Sequence, residues 1–186
     1  MQTPVFPSLS ASAPEVEPNA TAYSLEVESA IPDAPWVLQG EAVAFLASPF
    51  SLRLLVRYSY SPVGPYLEHA LATVSRRGPH VFQMSVNLDA SKRGGREIWG
   101  FPKTLELLGW KGQANRVAFR RACQTFRVRA WGPSFPVALP FWAAQQKKEQ
   151  WVRVPGKIKG RARLGFRGKQ LALVLQAFEM TIQPPQ

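Results

Sequence analysis

After residue 20 the chain alternates apolar and polar positions with a period of two. Leu52, Leu54, Val56, Tyr58 and Tyr60 interleave with Arg53, Leu55, Arg57 and Ser59. Phe82, Met84, Val86 and Leu88 interleave with Gln83, Ser85 and Asn87, and Phe126, Val128 and Ala130 with Arg127 and Arg129. Ile158, Ala162, Leu164 and Phe166 sit among Lys157, Lys159, Arg161, Arg163 and Arg167. Successive side chains of a strand point to opposite faces, so each run predicts a half-buried strand. Residues 36–47, 66–74, 104–110, 116–122 and 170–182 are further strand candidates, with turns at Ser61-Pro62-Val63-Gly64-Pro65 and Arg77-Gly78-Pro79. Helix is scarce. Asp89 is placed to cap a short helix towards Ile98, and the Gly94-Gly95 pair argues against a long one. Residues 143–150 are a second short helix candidate. This pattern predicts an α+β domain of mostly antiparallel β, curved or closed into a barrel able to enclose a ligand.

At 186 residues and 46% apolar composition the chain can build one real core. Residues 1–20, rich in Pro, Ser and Ala, read as an irregular N-terminal arm, and 21–186 as a single domain. The single cysteine, Cys123, rules out an intramolecular disulfide. Its place at a strand end predicts a buried structural thiol. With only His69 and His80 besides, no metal centre of the Cys/His type is expected. No run approaches the roughly 20 apolar residues of a membrane-spanning helix, and the first residues carry no basic-then-apolar leader. A cytoplasmic protein is the expectation.

The net charge of +11 raises the question of an anionic partner. Glu15, Glu17, Glu26, Glu28 and Asp33 make the first segment acidic, whereas the bases gather at 157–169. That stripe reads as the solvated face of one strand, with Phe166 on its core side. RNA readers add exposed stacking aromatics to their bases, so a nucleic-acid partner is not expected. Phe135, Phe141 and Trp142, in a proline-interrupted stretch, read as a lid or an oligomer contact.

One stretch carries candidate chemistry: Gly95-Arg96-Glu97-Ile98-Trp99-Gly100-Phe101-Pro102-Lys103. Pro102 fixes its own φ and pushes Phe101 into extended geometry, so Lys103 starts the next strand at a defined point. Trp99 and Phe101 flank it and can desolvate it. Desolvation lowers a lysine pKa, and a neutral amine can attack a carbonyl to form a Schiff base. Arg96 is the best carboxylate-binding candidate, because a guanidinium grips carboxylate with two parallel hydrogen bonds. An Arg96–Glu97 ion pair is the favoured structural role of that couple.

Gly95-Arg96-Glu97, then three residues, then Pro102-Lys103, resembles the Schiff-base lysine motif of the acetoacetate decarboxylase-like superfamily. Ala34-Pro35-Trp36-Val37-Leu38-Gln39-Gly40 looks like the opening of its short members. Tyr58, Ser61-Pro62-Val63-Gly64-Pro65-Tyr66 and Glu68 resemble their turn and following strand. The resemblance implies a cone-shaped barrel with a flanking sheet and few short helices. It also implies a lyase acting on a small oxo-acid, by decarboxylation or by aldol or dehydratase chemistry, and a homo-oligomer. Lys103 would be the nucleophile, with Arg96, Glu97, Tyr60, Tyr66, Glu68, Trp99 and Phe101 around the substrate. No cofactor is expected, because the iminium is its own electron sink. Acetoacetate decarboxylase is the standard case of a lysine activated by a neighbouring cation. Here the residue after the lysine is Thr104, not a second lysine, and the places of two active-site glutamates fall near Phe45 and Tyr60. The alternative is a non-catalytic relative binding an apolar ligand such as a lipid or carotenoid.

Overall fold

The computed structural model describes residues 30–113 and 115–186. The expected N-terminal arm lies outside them. Ten strands and one helix follow in the order β1 (Trp36–Ser48), β2 (Ser51–Tyr60), β3 (Tyr66–Ser75), β4 (Gly78–Val86), α1 (Asp89–Trp99), β5 (Lys103–Leu105), β6 (Leu108–Gln113), β7 (Arg116–Arg121), β8 (Gln124–Lys147), β9 (Gln150–Arg167) and β10 (Gln170–Ile182). They form one sheet in the order β5-β4-β3-β2-β1-β10-β9-β8-β7-β6. Only β4 and β5 pair in parallel; all other neighbours are antiparallel. The hydrogen-bonded order is linear, with β5 and β6 as its ends, so the expected closed barrel is corrected to an open mixed sheet.

The period-two pattern divides the apolar residues between the two faces. Leu38, Ala42, Val56, Tyr58, Ala70, Met84, Val154 and Leu175 bury one cluster, closed over by Trp99 and Phe101. Val43, Phe45, Leu55, Val117, Phe119, Phe126, Val128 and Val174 bury a second. Residues adjacent along one strand, such as Ala42 and Val43, thus serve different cores.

Three expectations are corrected here. The 104–110 strand is two strands on opposite edges of the sheet, broken at Glu106-Leu107. Residues 143–150 are not helical. They end β8 and turn into β9 through Lys148 and Glu149, both with positive φ, as a two-residue hairpin requires. Cys123 is exposed in the β7–β8 turn rather than buried. The helix at 89–99, by contrast, runs straight through Gly94-Gly95. Gly94 and Gly95 are buried, and a Cβ on Gly94 would lie 2.6 Å from the Trp36 ring. The glycines therefore serve close packing of α1 on the sheet. Asp89 lies in the first turn, where it pairs with Lys92 and Arg93 instead of capping.

Candidate active site

α1 ends at Gly100, whose left-handed conformation (φ 73°, ψ 20°) turns the chain back towards the sheet. Phe101 N–H donates to Gly95 O at 3.0 Å and closes that turn. Pro102 follows, and Lys103 opens β5 opposite Met84 of β4, at the strand start that the proline predicted.

The Lys103 side chain crosses Gly95. A Cβ there would lie 2.5 Å from its Cδ and 2.6 Å from its Cε. Lys103 is only 5% exposed. Its Nζ sits 3.0 Å from Glu68 Oε2 and donates to Ser91 Oγ at 3.0 Å. The Tyr66 ring lies with its centroid 5.2 Å from the ammonium, a cation–π arrangement. Tyr58 Oη donates to the other Glu68 oxygen at 3.1 Å, and the Tyr58 and Tyr66 rings lie tilted at 40° with centroids 4.5 Å apart.

Lysine, carboxylate, two phenols and a hydroxyl thus converge in a buried apolar setting, which is the usual signature of a functional site. The expected depression of the lysine pKa is overturned. Burial pushes Lys103 down, but the charge of Glu68 and the contact with Tyr66 outweigh it, and the amine is held above its ordinary value. Its charged neighbour is an anion, not the cation that activates the lysine of acetoacetate decarboxylase. Burial pushes Tyr66 up to about 12 and Tyr58 well above the usual phenol range, so both stay protonated and able to donate.

The structure brings Lys103, Glu68 and Tyr66 together. Tyr60 is corrected: it is 54% exposed, and Tyr58 takes its place beside Glu68. Trp99 is buried but packs edge-on against Trp36 at 5.0 Å and donates to Gln183 O. That makes it the anchor of the helix end. Arg96 and Glu97 are exposed, and no ion pair joins them among the described residues. They line a separate cleft of about 530 Å³ with His80, Phe101, Pro102 and Gln145, which Lys103 does not line. Gln145 is fully buried there, and neither of its amide atoms has a hydrogen-bond partner among the described residues. Glu41 pairs with Arg57 away from the site, and Phe45 lies in the second core. Sequence reasoning missed Tyr58 and Ser91. Tyr58 could have been found from the β2–β3 hairpin, which sets it directly opposite Tyr66.

Among the described residues no group of three or more His, Cys, Asp or Glu could hold a metal ion. No helix there is long and apolar enough to cross a membrane.

No family model matches the chain, and no curated protein matches it by sequence. Solved structures do. A crystal structure of acetoacetate decarboxylase from Legionella pneumophila superposes with a TM-score of 0.54 at 13% identity, over 83% of this chain and 87% of that one. A further structure from studies of acetoacetate decarboxylase gives 0.48 at 9% identity, over 83% and 88%. The first likeness is one of architecture, and it establishes that this chain is built on the acetoacetate decarboxylase fold.

Proposed function

We propose that the chain is a Schiff-base-forming lyase acting on a small oxo-acid, with Lys103 as its amine. The observation that carries this reading is the buried Lys103–Glu68 pair with Ser91 and Tyr66 around Nζ. A site that holds an ammonium opposite a carboxylate is also charge-matched to an iminium at the same nitrogen. The raised lysine pKa is therefore compatible with covalent chemistry, provided Glu68 manages the proton.

The steps balance around that carboxylate. Glu68 takes a proton from Nζ, and the freed amine adds to the substrate carbonyl, forming the C–N bond while a second nitrogen proton passes to the carbonyl oxygen and makes the carbinolamine. Glu68 returns the proton to the carbinolamine hydroxyl, which leaves as water. The iminium then faces the regenerated carboxylate. With a 3-oxo acid the bond to the carboxylate carbon breaks, its electron pair enters the iminium, and carbon dioxide leaves; the enamine carbon then takes up a proton, and water hydrolyses the iminium, freeing the ketone and Lys103. With a 2-oxo acid the same iminium supports aldol or dehydratase chemistry. Tyr58 holds Glu68 in place through Oε1. Arg96, with Lys147 and Lys148 on the rim of the neighbouring cleft, would attract the anionic acid.

A second reading, a non-catalytic binder of an apolar ligand such as a lipid or carotenoid, draws on the same ion pair, which can be wholly structural. Borohydride trapping separates the two. The protein is incubated with acetoacetate, pyruvate and longer 2- and 3-oxo acids, reduced, and mapped by mass spectrometry. A reduced adduct on Lys103 supports the lyase, and the acid that traps best points to the substrate. Folded protein with no adduct at Lys103 from any acid overturns it in favour of the binder.

A further inference from the structure

The expectation that Phe166 belongs to the core is corrected by its exposure of 42%, and it is one member of a row that crosses the sheet. Leu52 of β2 lies opposite Leu46 of β1. Phe45 pairs with Ala172, which sets Leu46 beside Leu171 of β10. Leu171 pairs with Phe166 of β9, Phe166 with Arg129 of β8, and Arg129 with Arg116 of β7. Six strands thus present Leu52, Leu46, Leu171, Phe166, Arg129 and Arg116 side by side. Their strand neighbours of opposite parity, including Phe45, Ala172, Val128 and Val117, fill the second core, so the row lies on the other face of the sheet, which carries the first core further along the same strands. All six are exposed. Leu164 pairs with Trp131 beside the row, and Trp131 is 66% exposed. Phe50, at the β1–β2 turn, is 83% exposed.

The cationic end of this face is unusual in two ways. Arg116 and Arg129 stand directly opposite each other, a like-charge pair that disfavours the sheet unless an anion joins it. With Lys111, Arg127 and Phe166 they line a groove of about 450 Å³. Neither arginine is in an ion pair among the described residues, and residues 107–131, 157–173 and 43–54 contain no acid after Glu106.

We propose that this face docks on an anionic lipid bilayer, with the arginines on headgroup phosphates and Leu46, Leu171, Phe166 and Trp131 at the acyl boundary. Contiguous exposed apolar surface edged by bases fits an interface that is apolar inside and anionic at its rim. Tryptophan favours the boundary itself. A second copy of the same face offers the arginines no carboxylate, because these segments contain no acid. A single-stranded nucleic acid would use the arginines and aromatics but gain nothing from the leucines, since it binds by stacking.

The test is vesicle flotation of the full chain, using phosphatidylcholine alone and an equal mixture with phosphatidylglycerol. Binding to the mixed vesicles, absent from neutral ones and weakened by salt, is expected. Arg116→Ala and Arg129→Ala each lower partitioning about fivefold, the equivalent of about 1 kcal/mol per basic residue. Leu46→Ser with Leu171→Ser abolishes it. Lys157→Ala, an equal charge change on the opposite face, leaves it intact. No flotation of folded protein, or loss of flotation only with Lys157→Ala, overturns the proposal. So does tighter binding to a single-stranded oligonucleotide, or concentration-dependent dimerisation that the Leu46 and Leu171 changes abolish.

Discussion

Lys103 Nζ and Glu68 Oε2 lie 3.0 Å apart, both side chains more than nine-tenths buried. Two residues separated in the chain by β4 and α1 thus form the polar centre of an otherwise apolar cluster. Two charges removed from water cost several kcal/mol each, and their attraction offsets this only when further hydrogen bonds complete the set. Ser91 and Tyr58 complete it, one on each partner. That arrangement is a resting ion pair, and under the proposed lyase reading the same carboxylate would face an iminium, since the charge at Nζ is the same in both.

Because each charge depends on the other, removing one alone is costly. Lys103→Met strands the Glu68 carboxylate, and a loss of about 3–5 kcal/mol of stability is expected in chemical denaturation. Lys103→Met with Glu68→Gln recovers most of it. Equal, additive losses from the two single changes would show that the pair is not coupled.

Gly95→Ala separates the site from the fold. Helix propensity alone favours alanine by about 1 kcal/mol. The new methyl, however, meets Lys103 Cδ and Cε, the flexible part of a side chain, so the lysine moves and the backbone stays. The expected result is a protein that still folds, less stable than the native chain because the Lys103–Glu68 pair is weakened, with strongly reduced borohydride trapping. Trapping at the native level would mean that the path of Lys103 over Gly95 does not matter to the amine.

Tyr58 and Tyr60 have the same parity in one strand but different fates. Tyr58→Phe removes the donor to Glu68 Oε1 and is expected to cost about 1 kcal/mol and to slow trapping. Tyr60→Phe, at an exposed position, should change neither. The pair of variants, compared by denaturation and by adduct yield, tests which tyrosine serves the site.

How much of this was legible follows from the periods involved. Strand positions declared themselves through alternation, and the Pro102-Lys103 step fixed where β5 begins. The helix was harder, because its buried face is Ser91, Gly94, Gly95 and Trp99, a spacing of three and four written mostly in small residues rather than apolar ones. Glycine there reflects the approach of Trp36 and Lys103, which local propensity does not see. Whether Phe166 is core or surface depends on what covers its face of the sheet, a long-range fact that alternation alone leaves open. Alternation alone did not place Glu68 beside Lys103, and only the family resemblance put both in one site, since Glu68 comes from β3, a strand that β4 separates from β5.

His69 gives the fold a pH dependence of its own. The ring is fully buried in contact with the second core, stacked near Phe126 with centroids 6.4 Å apart, and neither nitrogen has a partner among the described residues. Burial, then the charges of Arg121 and Arg53, lower its pKa to about 4 against the opposing pull of Glu106. The folded value lies below the unfolded one of about 6.5, so between those two pH values the unfolded chain binds more protons. Stability is therefore present in full above pH about 6.5 and falls as the pH drops towards 4, by on the order of 3 kcal/mol in total. His69→Phe keeps a flat ring against Phe126 and removes the titration, so its unfolding free energy should lack this slope, and its advantage over the native chain should grow from pH about 6.5 down to about 4. Parallel pH profiles for the two proteins would refute the assignment of that slope to His69.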